Sequence, residues 1–225
     1  MNSHAKQFDS IKAVETLILE HFRKEPFHNL HLLYGSHLQL PISGGTCSDK
    51  TLAFLADAKK SGFDARLHSG FIGGKEIHRL ARIHIGKRVF FADVGSGWPS
   101  IKLYPADKEV FFYSYGMRYR TEIHGSRLLV FHEKHGRETL QLEIEFHGKA
   151  EATILTDIEN RYTSGIVYPF ADSPRFSMVV GERFLFLRGN RLEVHSTNNF
   201  DVIEEIEVAD IPSILNHYFC YDFSG

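Results

Sequence analysis

Three residues in the first half of the chain have the types and the order of a thiol-based catalytic triad. Cys47 follows two glycines and precedes a run with helical spacing, which places its thiol at a helix N-terminus. The partial positive charge and free N–H groups there stabilise a thiolate. His78 lies on a candidate strand, and Asp93 stands where the next candidate strand ends. Because an imidazole can hold a thiol proton and a carboxylate can orient the imidazole, we expect the three to act together.

Other histidines compete for a role. His84 lies on the same candidate strand as His78 and shares its parity, so periodicity alone does not separate the two as the base. His28 with His31, and His132 with His135, have spacings that a metal ion uses. No third ligand in a matching context accompanies either pair. We therefore expect solvated turn histidines and no metal site.

Composition places the chain among ordinary globular proteins. It has 225 residues, of which 43% are hydrophobic and 24% charged, with a net charge of −2. That charge gives no basic patch for nucleic acid, and no apolar run approaches the roughly 18 residues of a membrane span. Two cysteines do not make a disulfide framework, and the N-terminus has no signal-peptide pattern. We expect a cytoplasmic protein with neither a nucleic acid nor a membrane as partner.

The hydrophobic patterns predict an α+β fold. Apolar residues from Ile11 to Phe22 recur at helical spacing, with a cap at Asp9 or Ser10 and a stop at Pro26. A second helix follows Cys47, after an irregular stretch over residues 27–46. Strands dominate from residue 65 to residue 146, where alternation is clear around Leu140.

The last third of the chain is predicted to be mixed. A capping-box pattern at Thr156 predicts a short helix over residues 156–162. Further strands are expected between residues 176 and 195, and Asp210 is placed to cap a terminal helix. Cys220, which lies among aromatic residues near the end, is expected to be a packed core residue.

Five short segments, in order, give the chain a resemblance to the arylamine N-acetyltransferases across roughly residues 11–195. They match that family's "VPFENL", "RGGxC", histidine-strand, "VDVGFG" and "N-x-Y-x-S … SPF" patterns. The segments are Glu25-Pro26-Phe27-His28-Asn29-Leu30, Gly44-Gly45-Thr46-Cys47, Ile77-His78-Arg79-Leu80, Ala92-Asp93-Val94-Gly95-Ser96-Gly97, and Asn160-Arg161-Tyr162-Thr163-Ser164 with Asp172-Ser173-Pro174-Arg175-Phe176. The family separates its histidine and aspartate by fifteen residues, and this interval favours His78 over His84.

The resemblance implies a cysteine-protease-like core. Residues 1–64 would form a helical lobe that carries the nucleophile, residues 65–150 a β-barrel with His78 and Asp93, and residues 151–225 a small mixed lid. It also implies a ping-pong reaction in which Cys47 takes an acetyl group from acetyl-CoA. An arylamine or related small amine then accepts the group, without a metal.

Further site residues are carried over from the matching motifs. The resemblance implies that Gly95, Ser96, Gly97, Ser164 and Ser173 bind the coenzyme. Gly95 and Gly97 match the two glycines of "VDVGFG", and Ser164 and Ser173 match the two serines of the later segment.

The sequence also departs from the family pattern. Ser43 stands where the family has arginine, and Ser96 stands where it has an aromatic residue that helps to line the acceptor pocket. The connection over residues 33–44 is about half the usual length, so a helix is expected to be missing there. Two alternatives stay open: an amide synthase or transglutaminase-like hydrolase on the same triad, and a degenerate relative without catalysis.

Overall fold

The N-terminal region is helical and ends at the predicted nucleophile. The computed structural model describes residues 3–34, 42–163, 165, 168, 170 and 172–221. Its first elements are helix α1 (Ser3–Lys24), strand β1 (Phe27–His28), helix α2 (Leu30–Tyr34) and helix α3 (Cys47–Lys60). Helix α1 begins before the predicted caps. The short elements β1 and α2 lie in the stretch predicted to be irregular, and most of the short connection over residues 33–44 lies outside the described residues.

An eight-stranded antiparallel sheet forms the middle of the molecule. Its strands are β2 (Asp64–Ile72), β3 (Lys75–Ile85), β4 (Arg88–Ala92), β5 (Tyr104–Pro105), β6 (Phe111–Ser114), β7 (Met117–His124), β8 (Arg127–Lys134) and β9 (Arg137–Glu145). Their order across the sheet is β5-β4-β3-β2-β9-β8-β7-β6, and the sheet curls into a half-barrel. Most neighbours in this order are also neighbours in sequence, which is why short turns are sufficient to connect them.

A second antiparallel sheet joins the two ends of the chain. After helix α4 (Glu151–Glu159) come β10 (Arg175–Val180), β11 (Arg183–Arg188), β12 (Arg191–His195) and β13 (Phe200–Ile203). Strand β1 pairs with β10, so the sheet order is β1-β10-β11-β12-β13. A 3-10 turn (Val208–Asp210) and helix α5 (Ile211–Phe219) complete the described fold.

The main core lies between α1, α3 and the two sheets. Val14, Ile18 and Phe22 of α1 pack with Phe54 and Leu55 of α3, and each of these side chains is buried. Burial of one such side chain contributes about 1.5–3 kcal/mol relative to exposure. The apolar spacing of α1 therefore fixes α3, and with it the position of Cys47.

Several local predictions were wrong. The predicted helix at residues 156–162 is α4, which begins at Glu151; Thr156 lies inside it and donates its hydroxyl to the Ala152 carbonyl. That bond to the preceding turn replaces the expected cap. Cys220 is exposed, because it forms the left-handed C-cap of α5.

The α+β fold class is confirmed, with the helical N-terminal region and the strand-rich middle as expected. Within the described part of the chain, no helix is both long enough and apolar enough to cross a membrane.

Candidate active site

A double-glycine turn with positive φ angles leads into the predicted nucleophile. Gly44 and Gly45 have φ angles of +82° and +139°, which L-residues rarely adopt. A Cβ atom on Gly44 would lie 2.1 Å from the Pro26 carbonyl oxygen. That carbonyl accepts a hydrogen bond from the Gly45 N–H at 3.1 Å. The two glycines therefore allow the chain to pass tightly against Pro26 immediately before the thiol.

Asp49 fixes the start of helix α3. Its Oδ2 accepts hydrogen bonds from the Thr46 backbone N–H and from the Thr46 hydroxyl, both at 2.9 Å. Its Oδ1 accepts a hydrogen bond from the Arg161 guanidinium at 2.9 Å. Cys47 is the first residue of the helix, where backbone N–H groups lack intrahelical acceptors. The thiol thus lies beside the positive end of α3.

The structure brings Cys47, His78 and Asp93 together. The imidazole Nε2 of His78 donates to Asp93 Oδ1 at 2.5 Å. The Cys47 thiol interacts with the His78 ring, and its Sγ donates to the Ile77 carbonyl oxygen at 3.8 Å. All three residues are buried. His84, the other candidate, lies at the far end of β3 and contacts Asp64 at 3.1 Å.

The electrostatics of these groups favour a thiolate. Burial by itself raises the pKa of Cys47, but the hydrogen bond and charge of His78, with Arg79 nearby, bring it below the ordinary thiol value. Burial likewise opposes the charged form of His78, yet the charge and hydrogen bond of Asp93 raise the pKa of its imidazole well above the ordinary value. Both shifts act in the direction that favours a thiolate–imidazolium pair over the neutral couple.

The segment after Asp93 packs tightly against the start of α3. A Cβ atom on Gly95 would lie 2.4 Å from the Arg79 carbonyl oxygen and 2.9 Å from that of Cys47. Ser96 accepts the Trp98 N–H on its hydroxyl at 3.0 Å, and the Gly97 carbonyl accepts from the Ser177 hydroxyl at 2.7 Å. Glycine at position 95 therefore lets the Asp93 loop approach the nucleophile.

A cavity lined by aromatic side chains opens onto the three residues. Gly95, Ser96 and Gly97 form part of its wall. Several other side chains surround it: Phe27, Trp98, Tyr168, Phe170 and Phe186. Position 96 lacks the aromatic residue of the family motif. Aromatic side chains from β1, β11 and the loops line the cavity instead.

Asn29 holds one wall of this cavity, a role that its local sequence does not indicate. Its side-chain amide donates to the Phe170 and Ser173 carbonyls, and its Oδ1 accepts from the Arg175 N–H at 2.7 Å. The partners are more than 140 positions away along the chain. Only the match of Asn29 to a family motif singled it out.

The remaining predicted residues have diverse surroundings. Ser173 is partly buried beside this wall, and Ser164 lies outside the described residues. Ser43, which replaces the family's arginine, shares a hydrogen bond of 3.0 Å with the Tyr221 hydroxyl. No coenzyme contact is assigned to any of the three by these interactions.

The expectation of solvated turn histidines was wrong for His28 and His132, which are buried. A different group, His135, Glu193 and His195, has ligand atoms within 4.8 Å of one another. Glu193 already bonds Arg188 at 2.7 Å and lies 3.1 Å from His195. An arginine on the carboxylate reduces its value as a cation ligand.

Comparisons with known proteins identify the fold. No family model and no curated protein matches the sequence. Among solved structures, the Nocardia farcinica arylamine N-acetyltransferase aligns with a TM-score of 0.78 at 19% identity, covering 94% of this chain and 83% of that one.

Two further structures agree. The Salmonella typhimurium arylamine N-acetyltransferase gives a TM-score of 0.77 at 18% identity, over 93% of this chain and 84% of its own. The Mycobacterium marinum arylamine N-acetyltransferase in complex with CoA gives 0.76 at 15% identity, over 93% and 86%. The chain therefore has the arylamine N-acetyltransferase fold.

Proposed function

We propose that this protein is an acyltransferase that moves an acetyl group from acetyl-CoA to an arylamine or related amine through a thioester on Cys47. The observation that carries the proposal is the buried group of Cys47, His78 and Asp93 at the wall of an aromatic cavity, with a hydrogen bond between His78 and Asp93. The shared fold, including that of a neighbour in complex with CoA, supports the same donor.

In the first half-reaction the Cys47 thiolate attacks the carbonyl carbon of acetyl-CoA. Backbone N–H groups in the first turn of α3 are placed to bind the oxyanion that develops. As the tetrahedral intermediate collapses, the bond from carbon to the coenzyme sulfur breaks. The imidazolium of His78 gives its proton to that sulfur, so CoA leaves as the neutral thiol and acetyl-Cys47 remains.

In the second half-reaction the amine attacks the thioester carbon. The neutral His78 imidazole takes the proton that the amine nitrogen loses, and the bond between carbon and the Cys47 sulfur breaks. The products are the acetylated amine and the original thiolate–imidazolium pair. Asp93 keeps the His78 ring in one orientation and stabilises its cation in both halves.

The cavity walls serve both substrates in this proposal. Trp98, Phe170 and Phe186 offer flat apolar surface on which an aromatic amine stacks. Gly95, Ser96 and Gly97, whose backbone borders the nucleophile, are proposed to contact the coenzyme together with Ser164 and Ser173. No metal is required, since the activated thiolate supplies the nucleophile.

Initial-rate kinetics test the proposal. Acetyl-CoA and a simple arylamine are varied together, and a ping-pong mechanism predicts parallel double-reciprocal lines. Cys47→Ala should abolish transfer, while Cys220→Ala, which changes the exposed second cysteine, should leave it intact.

Two results would contradict the proposal. Intersecting lines, or transfer that survives Cys47→Ala, would remove the thioester. Release of free acetate at the same rate with and without amine would favour the hydrolase alternative.

A further inference from the structure

A buried guanidinium group lies one residue after the predicted base. Arg79 follows His78 on β3, and only 4% of the residue is exposed. Its Nη1 donates to the His78 carbonyl oxygen at 2.8 Å and to the Glu76 carbonyl oxygen at 3.4 Å. Taking a cation out of water is costly unless negative charge lies close to it. The fold should therefore supply negative charge near Arg79.

The carboxylates around Arg79 compensate its charge only in part. Asp157 of α4 lies 3.8 Å from Nη2 of Arg79, which is too far for a hydrogen bond. The same Asp157 oxygen accepts from Lys149 at 3.1 Å, and this side chain is partly exposed to screening water. The Glu76 carboxylate is engaged by Lys149 at 2.8 Å and by the Ser69 hydroxyl at 2.6 Å. Within the described part of the chain, Nε of Arg79 has no hydrogen-bond partner.

The backbone of Arg79 lies where the segments of the candidate site meet. Its carbonyl oxygen accepts a hydrogen bond from the Thr51 hydroxyl of α3 at 2.9 Å. A Cβ atom on Gly95 would lie 2.4 Å from this oxygen and 2.9 Å from the Cys47 carbonyl oxygen, so both border the same small space. The charge and the backbone N–H of Arg79 each lower the pKa of the Cys47 thiol. The thiol sulfur is thus a second place where negative charge can compensate the guanidinium.

We propose that Arg79 is a positioning residue of this site, whose buried guanidinium holds the His78 peptide and favours negative charge on the Cys47 sulfur. This inference rests on the proposed function, in which the Cys47 thiolate is the nucleophile. The Asp157 carboxylate and the thiolate then share one cation. Weakening either partner should strengthen the effect of Arg79 on the other.

Other ionisable groups also face the thiol, and they are the same in every variant used below. Arg161 acts on the charge of Cys47 while it binds Asp49 at 2.9 Å. Burial and the Cys47 charge raise the pKa of Tyr168, which keeps its hydroxyl neutral. The remaining groups are His78 and Asp93, joined by their own hydrogen bond.

Alkylation of the thiol tests the proposal without any acyl transfer. The rate at which iodoacetamide modifies Cys47 is measured across pH in proteins that all carry Cys220→Ala, so that one thiol reacts. Arg79→Gln keeps a donor for the His78 carbonyl but removes the charge. It should move the midpoint of the profile to higher pH by about one unit, the lower end of the effect of a neighbouring opposite charge.

Two further variants separate the charge from the shape of the side chain. Arg79→Lys keeps the positive charge and should restore most of the difference in midpoint. Arg82→Gln, which removes a half-buried arginine three residues further along β3, is the matched control and should leave the midpoint unchanged.

The Asp157→Asn variant should have the opposite effect from Arg79→Gln. Without this carboxylate the guanidinium is left with the thiolate as its partner, so the midpoint should move to lower pH. The shift should be smaller than that of Arg79→Gln, because Asp157 is partly exposed and screened. Damage to packing would not change sign between the two variants.

The acylation step provides a kinetic readout of the same charge. At pH values below the wild-type midpoint, Arg79→Gln should lower the rate at which acetyl-CoA acylates Cys47 by about tenfold, the change in thiolate fraction for one pH unit. Above the midpoint of the variant the two rates should converge. A role in structure alone would lower the rate at every pH.

Two results would overturn the assignment: an unchanged midpoint in Arg79→Gln, or shifts of the same sign in Arg79→Gln and Asp157→Asn. If Arg79→Gln does not fold, Asp157→Asn decides, and a midpoint that stays or rises in that protein overturns the assignment. If wild-type protein forms no acetyl-enzyme, the proposed function fails, while the alkylation profiles still decide the role of Arg79.

Discussion

Lys50 places an amine in the core, one turn after the nucleophile on α3. Its side chain is buried, with 1% of the residue exposed. The ammonium donates to the Glu25 carbonyl at 2.8 Å and lies 4.5 Å from the centre of the Phe22 ring. Burial lowers the pKa of Lys50 from 10.5 to about 7, although Glu25 and Asp93 oppose the change. The folded protein should therefore show a specific dependence of stability on pH.

The sign follows from proton linkage. Between pH 7 and 10.5 the unfolded chain holds a proton on Lys50 that the folded chain has released. The free energy of unfolding should then rise with pH by about 1.4 kcal/mol per pH unit, to a total of about 5 kcal/mol. Below pH 7 both states are protonated, and the full cost of burying the charge is present.

Urea unfolding at 25 °C from pH 6.5 to 10.5 measures this dependence. The perturbation is Lys50→Met, which keeps the length of the side chain and removes the ionisable group. The difference in unfolding free energy, wild type minus variant, should rise along the predicted slope, because all other titrating groups are common to both proteins. Lys59→Met, on the exposed side of the same helix, is the control and should give a nearly constant difference.

Lys50→Met also leaves the Glu25 carbonyl without its hydrogen bond, which should change the unfolding free energy by about 1–3 kcal/mol. This change should be the same at every pH, so it adds a constant offset and no slope. The slope is therefore the decisive quantity. A flat difference between Lys50→Met and wild type over this pH range would refute the reasoning.

Three other predictions concern the site. Asp93→Asn should slow acylation by about 10³–10⁴-fold with little loss of stability, since the carboxylate orients and stabilises the His78 cation; a near-normal rate in stopped-flow assays would remove Asp93 from the mechanism. Because the pKa of Cys47 is lowered, iodoacetamide should alkylate it more readily than Cys220 at pH 6.5. The His78→Gln variant should shift the alkylation of Cys47 to higher pH. Equal pH profiles with and without His78 would count against the Cys47–His78 pair. Asn29→Ala should lower stability by about 1–3 kcal/mol and raise KM for the acceptor, because the hydrogen bonds that hold Phe170, Ser173 and Arg175 in the cavity wall are lost; an unaltered KM would contradict this.

Much of the local structure could be predicted from the sequence. A helix after Cys47 and strands from residue 65 onward were predicted from the apolar patterns, and α3 and the strands β2 to β4 lie there. The start of helix α4 was predicted too late, because Thr156 is a residue type that often caps helices. The helix begins one turn earlier, where Ile154 is buried. The pairing of β1 with β10 joins residues about 150 positions apart, and no local pattern indicates it.

Part of the candidate site could likewise be predicted from the sequence, and part could not. Cys47, His78 and Asp93 were found because their types match one chemistry and their motifs occur in order. Asn29 and Arg175 were noticed only as parts of two motifs. Their places in the cavity wall depend on contacts between distant parts of the chain. Lys50 was missed since a lysine beside a helix start is usually exposed, and its burial is visible only once α1 packs on α3.

In the proposed mechanism Cys47 itself carries the acyl group, and mass spectrometry tests this directly. Protein incubated with acetyl-CoA and no amine, quenched in acid, is measured by intact mass spectrometry and then by peptide mapping. The peptide that contains Cys47 should gain one acetyl group and lose it when an arylamine is added, and Cys47→Ala should show no gain. An unmodified protein, or acetyl groups found only on Cys220 or on lysines, would contradict it.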